Sequence, residues 1–196
     1  MSQQELSRRS FLIRSLAGVS SAWIASRWVE ILAAQEHVHR AMSSGAPLAF
    51  EFFSAAQATE VEAIAARIIP TDSTPGAREA RVIYFIDRAL STFDRDKRKG
   101  YSKGLRGLQA KVRKLYSPAK QFSALTPDQQ TEALKAIEKT EFFEWVRTHT
   151  IFGFLANPEY GGNHDQVGWK VIGFEAGFYY EPPFGYYDRE YAEEKK

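Results

Sequence analysis

A histidine beside an aspartate, His164–Asp165, is the first place in this sequence to look for chemistry. An imidazole next to a carboxylate can hold a metal ion or pass a proton. A metal site needs a third protein ligand, and none falls at a recognisable spacing, so support of a turn is the expected role. Glu141 and Glu144 are three residues apart and share one helix face. Paired carboxylates do acid–base work when burial separates their pKa values. Lys139 and Arg147 flank this pair, which points instead to a solvated surface. His149 lies among Trp145, Val146 and Phe152, where a hydrogen-bonded packing histidine is the default. His37 and His39 fall in a polar stretch. No G-x-G-x-x-G, Walker A, H-E-x-x-H or G-x-S-x-G string occurs. Cysteine is absent, which excludes disulfides, c-type haem attachment, thiolate-ligated clusters and thiol nucleophiles. The expectation is a chain with no catalytic residue, no bound cofactor and no metal of its own.

The elements that would position these residues read as helices. Ser54 and Gln57 make a capping box, followed by Ala58, Val61, Ala65 and Ile68 at helical spacing, with Pro70 as the stop. Thr74 as cap and Pro75 at the first position would open a second helix, with Ile83, Ile86, Leu90 and Phe93 on one face. Tyr101, Leu105, Leu108, Val112 and Leu115 mark a third. Thr126-Pro127-Asp128-Gln129 is another capping box, with Leu134 and Ile137 on the buried side. An apolar helix from Phe142 to Leu155 ends at Asn157-Pro158. No alternating strand pattern occurs. The fold class expected is mainly α: a compact helical domain over residues 51–174 with an irregular, aromatic-rich tail over 175–196.

Charge narrows the partners. Most of the small positive excess sits in residues 1–34, and the rest of the chain is balanced. A neutral body gives no electrostatic case for nucleic acid. The run from Arg95 to Lys114 is strongly basic on one helix face. A solvated face is the favoured reading of it, with a docking surface for an acidic partner as the intermediate one.

Ser7-Arg8-Arg9-Ser10-Phe11-Leu12 resembles the twin-arginine export signal, with Arg8, Arg9, Phe11 and Leu12 as its matching residues. The apolar stretch behind it is interrupted by Arg14, which suits a receptor-read address better than a membrane span. Residues 1–34 are therefore read as an export signal and 35–50 as a linker. At the other end, residues 174–191 hold eight aromatics, among them Phe174, Phe178, Tyr179, Tyr180, Phe184, Tyr186 and Tyr187. Pro182-Pro183 and the glycines exclude a long helix there. Exposed aromatic segments anchor interfaces, so the tail is expected to wrap a partner, with folding back over its own helices as the alternative.

Four stretches carry a family resemblance: the leader, the run from Phe52 to Leu90, FSALTPDQQTEAL, and the run from Phe142 to Phe174 with its string YGGN-x-D-x-x-GWK-x-IGF. The body resembles the gluconate 2-dehydrogenase subunit 3 family. Ser73 departs from that pattern, standing where a second acid would follow Asp72, and the tail runs on beyond Phe174. The resemblance implies a non-catalytic small subunit that escorts a large FAD-dependent dehydrogenase of the glucose–methanol–choline type. That partner oxidises a sugar, polyol or sugar acid and passes electrons to a cytochrome c subunit carrying haem c. It also implies export through the twin-arginine translocase, a periplasmic location, and membrane association only through the complex. Tyr160, Asn163, Asp165, Trp169 and Phe174, with the tail aromatics, are the expected partner interface. The competing hypothesis is an autonomous periplasmic sugar-binding protein or metal-assisted enzyme built on the His164–Asp165 turn, with Tyr160, Asn163 and Trp169 lining a sugar pocket.

Overall fold

The computed structural model describes residues 49–177. The leader residues Arg8, Arg9, Phe11 and Leu12, and the tail residues Phe178, Tyr179, Tyr180, Phe184, Tyr186 and Tyr187, lie outside the described residues. Six α-helices follow one another: α1 Ala55–Ile68, α2 Val82–Ser91, α3 Arg98–Leu115, α4 Pro127–Lys135, α5 Glu141–Leu155 and α6 Val167–Ile172. Short 3-10 turns at Arg95–Lys97, Phe122–Ala124, Pro158–Tyr160 and His164–Gln166 join them. No strand occurs among the described residues, and none of their helices is long and apolar enough to cross a membrane.

Helix α5 is the hub. Its sequence, EFFEWVRTHTIFGFL, is apolar on nearly every side, and such a helix is stable only when neighbours cover it. It packs against α1, α2, α3 and α6. Phe142, Val146, Ile151 and Phe154 are buried along it, with His149 and Thr150. Helices α1 and α2 supply the facing surface through Val61, Ile64, Ile83, Ile86 and Leu90.

Both predicted capping boxes form. The Ser54 and Thr126 hydroxyls accept the Gln57 and Gln129 amides, and each glutamine side chain accepts the amide of its cap residue. The second helix begins later than the Thr74-Pro75 signal predicts. Asp72 takes the Thr74 N–H into a local turn at 2.9 Å, and the Glu79 carboxylate receives the Gly76 N–H and the Thr71 hydroxyl, each at 2.7 Å. These bonds hold the loop in turns until Arg81, which adopts a left-handed φ of 51°, and α2 starts at Val82. Leu115, expected on the apolar face, is 53% exposed at the last turn of α3.

Two carboxylates inside the fold act as anchors. Asp87 on α2 accepts the backbone N–H groups of Glu51 (2.7 Å), Phe52 (3.0 Å) and Phe53 (2.9 Å). Arg88 lies against the same carboxylate and reaches Glu51 (3.0 Å) and the Ala49 carbonyl (3.2 Å). Glu60 on α1 accepts the Phe122 and Ser123 amides and the Ser123 hydroxyl. A buried carboxylate is tolerated only when donors surround it, and these two exchange that cost for the docking of a segment distant in sequence.

Candidate partner-docking surface

The glycine-rich string after α5 is a staple between two helices. The last carbonyls of α5 lack intrahelical partners, as at every helix end. The Asn163 amide N–H bonds the Gly153 carbonyl (2.7 Å), its side-chain Nδ2 donates to the Ala156 carbonyl (2.9 Å), and the Trp169 indole Nε1 donates to the Leu155 carbonyl (2.7 Å). Asn163 Oδ1 meanwhile accepts the Gly168 N–H at 2.8 Å, capping α6. One asparagine thus serves the end of one helix and the start of the next, from a left-handed φ of 46° that asparagine adopts more readily than most residues. The backbones approach too closely for a side chain: a Cβ on Gly168 would lie 1.7 Å from the Phe154 carbonyl oxygen.

This geometry sorts the residues predicted as an interface. Asn163 is fully buried and its side chain is spent internally, so it is scaffold and no partner can reach it. Asp165 does not cap the following segment: it sits at φ 53° without a capping bond, and Asn163 takes that role. Asp165 is 74% exposed and its carboxylate lies 3.5 Å from His164 Nε2. No third acid or histidine joins them, and no cluster of three such donors occurs among the described residues. Trp169 turns its indole N–H inward and its ring toward Phe174, with centroids 5.2 Å apart and edge to face. Gly173, at φ 73°, turns the chain so that the Phe174 N–H bonds the Trp169 carbonyl, and the Phe174 side chain stays 45% exposed. Tyr160 is half-buried, and burial followed by the charge of Glu159 raises its phenol pKa. Tyr160, Trp169 and Phe174 therefore lie in the segment that runs on into the aromatic tail.

A second polar group is internal. His149 Nε2 lies 2.7 Å from Asp94 Oδ2, and its Nδ1 lies 2.7 Å from the Tyr101 hydroxyl. Lys97 closes on the other Asp94 oxygen. The Nε2–H donates to the Asp94 carboxylate, and Nδ1 and the Tyr101 hydroxyl share the second hydrogen bond. Burial pushes the Asp94 carboxyl up, but the hydrogen bonds and charges of His149 and Lys97 together outweigh it and hold the group below its ordinary range. Burial, then the Asp94 charge, pushes Tyr101 well above the usual phenol range. His149, Asp94 and Tyr101 are sealed from solvent, so the trio ties α3 and α5 to the turn after α2. The sequence marked His149 as a packing histidine and gave no sign of its partners, which are 48 and 55 residues away. Glu141 and Glu144 are exposed, and Glu144 pairs with Arg147 at 2.7 Å, as a solvated face requires.

A family model for gluconate 2-dehydrogenase subunit 3 matches residues 55–177, the span of the six helices. No curated protein and no solved structure matches the chain.

Proposed function

Because this chain belongs to the gluconate 2-dehydrogenase subunit 3 family, we propose that it is the non-catalytic escort subunit of a periplasmic, FAD-dependent sugar, polyol or sugar-acid dehydrogenase. Membership in a dehydrogenase complex rests on the family match. The division of labour within that complex is our reading of the chain's own residues. The most specific string in the sequence commits Asn163 and the Trp169 indole N–H to the ends of α5 and α6, and the Trp169 and Phe174 rings form an aromatic edge. That arrangement suits binding to a protein surface. The flavin is assigned to the large subunit, as the family resemblance implies, where it would accept the hydride from the alcohol carbon, and haem c to a further electron-accepting partner.

The chain's part is mechanical. Trp169 and Phe174 present an apolar edge, and the aromatic residues Phe178 to Tyr187 that follow in the sequence are assigned to the same contact with the large subunit. Apolar area buried across such an edge is worth ~25 cal/mol per Å², from which the cost of ordering the tail is subtracted. Arg8 and Arg9 supply the address for both proteins, which cross the membrane folded and together. The test is co-expression with the flavoprotein. Replacing Arg8 and Arg9 by lysine should leave both subunits in the cytoplasm. A flavoprotein that still reaches the periplasm at full activity refutes the escort role, and substrate turnover by the isolated chain refutes the non-catalytic one.

A further inference from the structure

The outward face of α3 is a second surface, on the opposite end of α5 from the aromatic edge. Helix α3 contains no acidic residue, and Lys99, Lys103, Arg106, Lys111, Arg113 and Lys114 all reach solvent along it. None of the six enters an ion pair among the described residues, although Lys111 donates to the Ala136 carbonyl at 3.0 Å. Beside this face runs a groove of about 350 Å³, where α3 meets the start of α5. Leu108, Ile137 and Trp145 form its apolar walls, and its charged lining is two lysines, Lys103 and Lys111, against one acid, Glu141.

The glycines of α3 give the groove its meaning. A Cβ on Gly100 or Gly104 would lie 2.1 Å from the Trp145 or Phe142 ring, so close packing against α5 accounts for both. Gly107 lines the same groove, yet a Cβ there would meet nothing within 4 Å. A glycine inside a helix weakens it, and no contact within the described fold accounts for this one. It leaves bare, solvent-exposed backbone in the lining of a groove with apolar walls and a net positive edge.

We propose that this groove is the seat of an acidic segment of the large subunit, whose backbone passes close over Gly107 while its carboxylates meet Lys103 and Lys111. The proposal rests on the escort reading above and adds a location to it. Six exposed cations on a helix without an acid outweigh the single Glu141 beside them, so the face selects an anionic partner and steers it in, and the apolar walls favour a polypeptide over a phosphate backbone.

The experiment takes the co-expressed complex of the full chain and the flavoprotein. Carbodiimide, which joins amines to adjacent carboxylates, should link Lys103 and Lys111 to a single acidic stretch of the large subunit. Lys103→Glu with Lys111→Glu should lower affinity at least tenfold and flatten its salt dependence. Gly107→Leu should lower affinity similarly while the free chain melts at an unchanged or higher temperature. A complex that tolerates both variants, or whose cross-links lie elsewhere, overturns the location and leaves the escort reading intact. Links to the chain's own residues 178–196 or to a second copy overturn it in favour of those occupants, and competition by a DNA duplex overturns it in favour of nucleic acid. Failure to form any complex refutes the escort reading and this inference together.

Discussion

Tyr101, His149 and Asp94 show how much of the fold's specificity rests on single polar atoms. Replacing Tyr101 by phenylalanine leaves the His149 Nδ1 without its hydrogen-bond partner inside the core, which costs ~1–3 kcal/mol. The same residue makes the fold sensitive to alkali. Its folded pKa lies well above 10.0, so above pH 10 the unfolded chain loses a proton that the folded chain keeps. Stability must then fall as pH rises, by ~1.4 kcal/mol per pH unit for this one group. Urea melts between pH 8 and 11 should show that slope, and Tyr101→Phe should reduce it. Asp94 works at the other end. Its folded pKa is below the ordinary 3.8, so its contribution is complete at neutral pH and is lost as pH falls below that value. Asp94→Asn should therefore destabilise the chain at pH 7 and narrow the difference from wild type below about pH 3.8. Sequence spacing could not reveal this trio, because its members are brought together only by helix packing.

The helices themselves were legible wherever local chemistry decides. Both capping boxes, the proline stop after α1 and the Asn157-Pro158 close of α5 stand where residue types place them. Legibility failed at the loop before α2, where the Glu79 carboxylate outbids the Thr74-Pro75 start signal. The buried acids Asp87 and Glu60 were also hidden, since periodicity counts a carboxylate as an outward residue. The glycines of α3 allow a test at this scale. Gly107→Ala should stabilise the chain by ~1 kcal/mol through helix propensity alone. Gly104→Ala, three residues earlier, should destabilise it by forcing a methyl into the Phe142 ring. Equilibrium denaturation of the two variants beside wild type separates local preference from packing.

Across the whole molecule, α5 links the two candidate surfaces. Its first turn borders the cationic groove and its last carbonyls are held by the staple that carries Trp169 and Phe174. A partner that engages both ends binds the folded form alone and so raises its melting temperature with the logarithm of its free concentration once that exceeds Kd. Deleting residues 178–196 should weaken co-purification with the flavoprotein while leaving the melting temperature of the free chain close to wild type. Unchanged co-purification would remove the tail from the interface.

The clasp that Asp87 closes on Glu51, Phe52 and Phe53 sets a limit on maturation. On the export reading proposed above, a peptidase that removed residues 1–34 would cut ahead of residue 49 and leave the clasp untouched. One that trims past Phe53 strips away all three amides and strands an anion in the interior. The mature N-terminus is thereby bounded from within the fold, by a side chain more than thirty positions downstream.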